Sequence, residues 1–282
     1  MALTTVEFDY IRRLLREHAA LVLEPGKEYL VESRLYPLAR QEGFRSLQHL
    51  LEALRTDQSG PLHRRVVEAM TINETSFFRD ARAFELLKTV VMPDIVAKRA
   101  AERCLNIWCA ACSSGQEVYS IALLLREHFA GLPAWNTCLI ASDISPGMLT
   151  RAREGRYTQL EVNRGLPASF LVKYFQKRGE HWQIREDVRR AVEFLDINLA
   201  GPWPPFPNLD LIFMRNVLIY FDVEVKKYIL AKVRRLLRPN GYLFLGGSET
   251  TLSLDNLFEP ISGGGAACYQ LRDCEKKRGA AS

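Results

Sequence analysis

Residues 109–120 read CAACSSGQEVYS and place two cysteines, one glycine and one glutamate in a single turn. Cys109 and Cys112 have the C-x-x-C spacing of a redox pair or half a zinc site, but no second pair stands at metal-ligand spacing, so the pattern alone is weak. The plainer reading is of two small, semi-buried residues lining a tight turn. A dinucleotide-binding turn uses G-x-G-x-x-G to bring backbone against a pyrophosphate, and only Gly115 is present here. What remains is a narrow turn followed by Glu117, which would repel a diphosphate. Asp143 closes a second apolar stretch in IASDIS, where a carboxylate can accept both hydroxyls of a ribose or, as the commoner alternative, cap a helix beginning near Pro146. A nucleoside carrying a cationic amino-acid portion in place of phosphates suits Glu117 and Asp143 together. S-adenosylmethionine is such a molecule.

These residues need elements to hold them. Val6, Tyr10, Ile11, Leu14, Leu15 and His18 recur at helical spacing, and three more helices are read near 27–42, 46–56 and 60–70 without intervening strand-like alternation. Residues 1–76 are therefore expected to form a small all-helical domain. TINETSFFRD, residues 71–80, opens a connecting segment, 77–103, whose helix is expected to run from Ala81 through Val91 and stop at Pro93.

After residue 104 strands and helices alternate. Strands are read at 105–110, 137–142, 192–195, 209–214 and 242–245, helices at 117–129, 146–154 and 223–237, and a final strand pair near 258–261 and 267–271. Such alternation implies an α/β domain over 104–272 with a mostly parallel sheet. Ligands of these sheets sit at the carboxyl ends of the strands, so loops 110–117, 143–147, 196–200 and 215–221 should converge on one crevice. Residues 157–190 break the rhythm and read as an insertion with a short hairpin turning at 178–181. Gly263 to Gly265 fit a terminal hairpin turn, and 273–282 are expected to be a disordered tail.

Composition narrows the classes. The chain has 282 residues, 48% hydrophobic and 25% charged, and no apolar run near the ~20 residues that span a bilayer. Scattered cysteines, six in number, suit a reducing compartment better than a disulfide framework, so the expectation is a cytoplasmic protein, monomeric by default. A net charge of +5 does not demand nucleic acid, and no basic patch with interleaved aromatics supports it.

Together, TINETSFFRD, AACSSGQEVYS, ASDIS, VEFLDINL, LDLIFMRNVLIYFD and LRPNGYLFLGGSE closely resemble the chemotaxis receptor glutamate methyltransferases of the CheR family. The resemblance runs from the first helices to about Leu271. It implies a Rossmann-like class I methyltransferase domain dependent on S-adenosylmethionine, a small N-terminal all-helical domain that recognises the receptor, and a short β-hairpin insertion. It further implies that Asn73, Thr75, Arg79, Glu117, Asp143, Asn198, Leu199, Arg215 and Asn216 bind the cofactor, with Asp143 on the ribose and Asn198 and Leu199 on the adenine. Arg79 and Tyr220 are the implied catalytic residues, orienting the acceptor carboxylate and the cofactor. No metal is implied, and S-adenosylhomocysteine is the product. The implied partner is the cytoplasmic helical region of methyl-accepting chemoreceptors, bearing clustered Glu and Gln, which a basic face containing Arg34 and Arg40 could meet.

Departures are visible too. Gln116 and Val118 stand where the family pattern has Glu and Pro, and Gly247 stands where members often have His. The hairpin near 176–187 is short and lacks a glycine-bracketed loop, which argues against tethering by a receptor's C-terminal pentapeptide. A glutamate is already ionised at neutral pH, with an ordinary pKa of about 4.3, so transfer needs no general base. The histidines, five in all, lie outside the motifs. The competing reading is a non-catalytic adaptor that binds the cofactor or its product and signals through the helical domain.

Overall fold

The computed structural model describes residues 3–57, 60–261 and 265–272. The chain divides into two units, one of Met1–Ile72 with Asn198–Pro202 and Tyr220–Val225, the other of Asn73–Ile197, Trp203–Ile219 and Lys226–Ser282.

The first unit is built on four helices: α1 (Thr5–Ala19), α2 (Glu28–Gln41), α3 (Leu47–Thr56) and α4 (Pro61–Met70). Their starts are written in the sequence. Thr4 and Glu7 close a reciprocal capping box on α1, Ser46 caps α3, and Pro61 occupies the first turn of α4, where its missing N–H has no helical partner to lose. Ile11, Leu15, Val31, Leu35, Leu50, Leu54 and Val66 are fully or almost fully buried and form the apolar stripes.

The second unit opens with α5 (Ala81–Leu86) and α6 (Met92–Arg99), joined by a π-helical turn at Leu87–Val91. The expected stop at Pro93 does not occur. The wide turn, in which the Met92 N–H donates to the Leu87 carbonyl, absorbs the lost donor and bulk of the proline ring, and the helix continues to Arg99.

The body of this unit alternates β1 (Cys104–Ala110), α7 (Gln116–His128), β2 (Asn136–Asp143), α8 (Pro146–Glu154), then the insertion with β3 (Arg156–Thr158), α9 (Gln159–Asn163), α10 (Ala168–Tyr174), β4 (Phe175–Arg178), β5 (His181–Ile184) and α11 (Glu186–Arg189). It continues through β6 (Val192–Asp196), β7 (Leu209–Met214), α12 (Val223–Leu236), β8 (Leu237–Phe244), β9 (Phe258–Pro260) and β10 (Cys268–Leu271). The large sheet has the order β6-β2-β1-β7-β8-β10-β9, which is 3-2-1-4-5-7-6 when its own strands are counted along the chain. This is the Rossmann-like arrangement, with an antiparallel final pair. β1 and β7 are buried along nearly their whole length, which is why they read as unbroken apolar runs. Phe213 and Phe244, paired in register on β7 and β8, stack with ring centroids 4.5 Å apart.

One expected element is extended and one expected boundary is corrected. The hairpin turning at 178–181 is present as β4 and β5, and β3 adds a third strand on β5 to give the antiparallel sheet β3-β5-β4. β8 begins at Leu237 rather than Tyr242, because a bulge opposite Leu209 and Leu211 lets the segment pair before the expected start. The expected hairpin turn at Gly263–Gly265 and the tail from Asp273 lie outside the described residues, apart from Gly265. Among the described residues no helix is long and apolar enough to cross a membrane.

Candidate cofactor and transfer site

The strand order reverses between β1 and β7, and ligands of such sheets bind outside the carboxyl ends at that point. The ends there are level: Ala110 is in register with Ser142 on one side and Met214 on the other, and Asp143 with Asp196 beyond. The indole N–H of Trp108 donates to Ser142 Oγ at 2.9 Å, tying β1 to β2 just below this edge.

The turn after β1 makes its tight path with little glycine. Ala111 (φ 53°), Ser113 (φ 50°) and Gly115 (φ 93°) alternate through the left-handed region, which is why small side chains dominate here. Gly115 is also forced by packing, since a Cβ would lie 3.0 Å from the Ala152 side chain of α8. Asp143 organises the turn: one carboxylate oxygen accepts from the Ser113 N–H at 2.8 Å, the other from the Ser145 N–H at 2.9 Å. The cap of α8 is Ser145, whose hydroxyl accepts from the Met148 N–H. The capping alternative for Asp143 is thereby answered. It is a buried carboxylate that fixes the β1–α7 turn from the end of β2.

Glu117 enters the first turn of α7, and Arg215 follows the last residue of β7. Arg215 Nη1 stands 2.6 Å from Glu117 Oε2 and 2.9 Å from the Arg79 carbonyl, while Nη2 is 3.3 Å from Asp80 Oδ2. Two carboxylates against one guanidinium leave this cluster one net negative charge. Arg215 Nε is buried and meets no acceptor among the described residues.

The segment 73–80 closes against the same turn. Ser113 Oγ donates to the Asn73 carbonyl at 2.8 Å, and the Phe78 N–H donates to Ser120 Oγ at 2.9 Å. Phe77 is fully buried with its ring edge-on to Tyr157 and Phe175, so it packs. Arg79 is exposed, with Nη1 on the Glu74 carbonyl at 2.9 Å; Asn73 and Thr75 are half-buried. Cys109 and Cys112 are free, fully enclosed thiols whose pKa values burial pushes well above the ordinary thiol range. Such thiols are poor nucleophiles and poor ligands.

This geometry coincides with two family models. Residues 73–265 match the CheR methyltransferase SAM-binding domain, and residues 6–71 match the CheR methyltransferase all-alpha domain. The chain belongs to the CheR methyltransferase family. It is 39% identical to chemotaxis protein methyltransferase 1 of Pseudomonas aeruginosa, over 96% of this chain and 100% of that one. It is 37% identical to chemotaxis protein methyltransferase Cher2 of Pseudomonas putida over the same shares. With the chemotaxis protein methyltransferase of Vibrio parahaemolyticus it shares 36% over 94% of this chain and 97% of the other. As a member of this family it carries a class I fold that binds S-adenosylmethionine and acts as a methyltransferase.

Of the residues singled out by sequence, Asn73, Thr75, Arg79, Glu117, Asp143, Arg215 and Asn216 fall in the second unit, where Ser113 links Asn73 to Asp143 and Arg215 links Arg79 to Glu117. Asn198, Leu199 and Tyr220 group with the helical unit. There the Asn198 amide donates to the His18 carbonyl at 2.8 Å, Leu199 is buried, and the Tyr220 carbonyl accepts from the Val22 N–H at 2.9 Å. Arg40 is exposed, but Arg34 is half-buried, with Nη1 2.6 Å from the Met70 carbonyl and 2.9 Å from that of Thr71, so it closes the end of α4. Gln116 accepts from Ser114 Oγ, Val118 is fully buried, and Gly247 has open space where a Cβ would stand. Asp80 and Glu249 were not singled out. The acid that ends GGSE, directly after an apolar strand, was the available signal for Glu249.

Proposed function

We propose that the chain transfers the methyl group of S-adenosylmethionine to side-chain carboxylates of glutamates in the cytoplasmic helical region of methyl-accepting chemoreceptors, leaving glutamate methyl esters. This places it in the protein-glutamate O-methyltransferase class, acting in the cytoplasm. Relatives named as chemotaxis methyltransferases over nearly the full chain support the partner. The observation that carries the reading is the net-negative cluster of Glu117, Arg215 and Asp80 at the strand-order switch, with buried Asp143 at the next strand end.

The residues present suit this cofactor. A surplus negative charge admits a sulfonium and an ammonium and repels phosphate, and the orphaned Arg215 Nε is a donor of the kind an amino-acid carboxylate satisfies. Asp143, fixed by two backbone donors, can accept ribose hydroxyls without reorganising. Asn73, Thr75, Arg79, Arg215 and Asn216 line the methionyl side in this reading, and Asn198 and Leu199 take the adenine. When bound, S-adenosylmethionine would supply a methyl on a sulfonium sulfur; a carboxylate oxygen in line would bond to that carbon as the carbon–sulfur bond breaks and the neutral thioether leaves. What remains for the protein is to align, at ~3 Å, groups that are already reactive. Arg79 and Tyr220 orient the acceptor. Its carboxylate arrives ionised, so no residue has to remove a proton. Arg34 and Arg40 belong to the basic surface that meets the acidic receptor helix.

The test is transfer of labelled methyl from S-adenosylmethionine to a receptor cytoplasmic fragment. Label released as methanol by mild alkali supports an ester; alkali-stable label, or none, overturns the reading.

A further inference from the structure

The Arg215–Ile219 segment is held from outside the motif that contains it. Asn216 adopts φ 58°, a left-handed conformation that turns several neighbouring N–H groups to one side. They do not meet a strand or a helix. Instead Glu249 Oε2 accepts from the Asn216 N–H at 2.7 Å and the Gly246 N–H at 2.6 Å, while Oε1 accepts from the Val217 N–H at 2.9 Å and the Ile219 N–H at 3.2 Å. Glu249 is buried. Backbone donors withdrawn from water must be satisfied, and here one buried carboxylate accepts from four, on the buried Gly246, the half-buried Asn216 and Val217 and the exposed Ile219. The arrangement is tight: a Cβ on Gly246 would lie 2.6 Å from Asn216 Nδ2, 2.7 Å from Glu249 Oε2 and 2.9 Å from the Asn216 nitrogen.

We propose that Glu249 is a positioning residue for methyl transfer: its carboxylate sets the backbone from which Arg215 reaches Glu117 and Asn216 faces the cofactor. This rests on the proposed cofactor role of Arg215 and Asn216 but assigns a function to a residue outside it. Glu249 touches neither cofactor nor acceptor in this account. It acts through the turn.

The geometry makes a pointed statement about substitution. Each oxygen receives two N–H groups, so whichever one Glu249→Gln converts to an amide nitrogen then faces two donors with a donor. Gly246→Ala crowds the same turn and the carboxylate within it while keeping the charge of Glu249. Both variants of the full-length chain should bind S-adenosylhomocysteine at least tenfold more weakly in calorimetry, with the KM for S-adenosylmethionine raised in step and the KM for a receptor fragment unchanged. Phe258→Leu, a buried change on β9 chosen to match their loss of thermal stability, should shift that affinity less than twofold. Glu249→Asp, which keeps the charge, should recover part of the loss. Wild-type affinity in Glu249→Gln and Gly246→Ala, or an equal loss in Phe258→Leu, overturns the proposal. A wild-type protein that does not bind S-adenosylhomocysteine overturns the cofactor reading itself, and the same titration tells the two failures apart.

Discussion

Arg215 Nη1 and Glu117 Oε2 are 2.6 Å apart, on residues that follow the two strands between which the sheet reverses its order. The ion pair spans the switch point like a latch. Asp80 then adds a second carboxylate to the same guanidinium. Glu117 is thus held by a cation without the cluster losing its negative surplus.

Removing the cation should be severe. Arg215→Ala strands the buried Glu117, while the exposed Asp80 keeps its water, and loss of one partner of a buried pair costs roughly 3–5 kcal/mol. All the tryptophans, 108, 135, 182 and 203, lie in the methyltransferase unit, so denaturant unfolding followed by their fluorescence reports it. Combining Arg215→Met with Glu117→Gln should restore much of the stability while leaving S-adenosylhomocysteine unbound.

Asp143 is asked to do two things, and substitution should separate them. Asp143→Asn keeps one acceptor oxygen for the turn but loses the charge, and should weaken S-adenosylhomocysteine about tenfold or more, since a hydrogen bond to a charged group contributes about 1.5–3 kcal/mol. Asp143→Ala should also lower the melting temperature, because the Ser113 and Ser145 N–H groups lose their acceptor. Isothermal calorimetry and thermal unfolding measure the two effects separately.

The C-x-x-C spacing makes a negative prediction. Cys109 and Cys112 are enclosed and their thiols pushed up by burial, whereas Cys104 and Cys138 are partly exposed. Alkylation of the native protein followed by peptide mass mapping should label Cys104 and Cys138 long before Cys109 or Cys112. Cys109→Ala should still transfer methyl.

His63 gives the helical unit a pH dependence on the acid side of neutrality. It is buried, its Nδ1 has no partner among the described residues, and its ring centroid is 5.1 Å from that of His18. Burial first, and the neighbouring His18 second, hold its pKa below the ordinary 6.5, against a smaller opposing pull from Asp57. Between the lowered folded value and 6.5 the unfolded chain binds more proton, so stability rises with pH there. It should be whole above about pH 6.5 and decline as pH falls through the folded value. Thermal melts followed by far-ultraviolet circular dichroism should show that decline in the wild type and a flatter profile in His63→Phe.

Much of this was legible in the sequence, for identifiable reasons. β1, β7 and the second half of β2 are buried and read as apolar runs; Thr4, Ser46 and Pro61 announce their helices. Pro93 misled because a local π turn, which no residue type encodes, makes room for it. β3 was missed because Arg156–Thr158 is too short to show alternation. The candidate site was legible as residue types but not as a network. Glu117 and Arg215 are 98 positions apart, Arg215 and Asp80 135, and Glu249 and Asn216 33, and contacts at such separations leave no periodicity to read. Arg34 shows the converse limit, since a basic residue on a helix face can serve a carbonyl of its own chain.

The most direct measurement is site mapping of the modification. A receptor cytoplasmic fragment is incubated with S-adenosylmethionine and this protein, digested, and sequenced by tandem mass spectrometry. Methyl is expected on glutamate side chains, lost on mild alkaline treatment and absent when Asp143→Ala replaces the wild type. Methyl on lysine or arginine nitrogen, or a fragment returned unmodified by an enzyme that binds the cofactor, would contradict it.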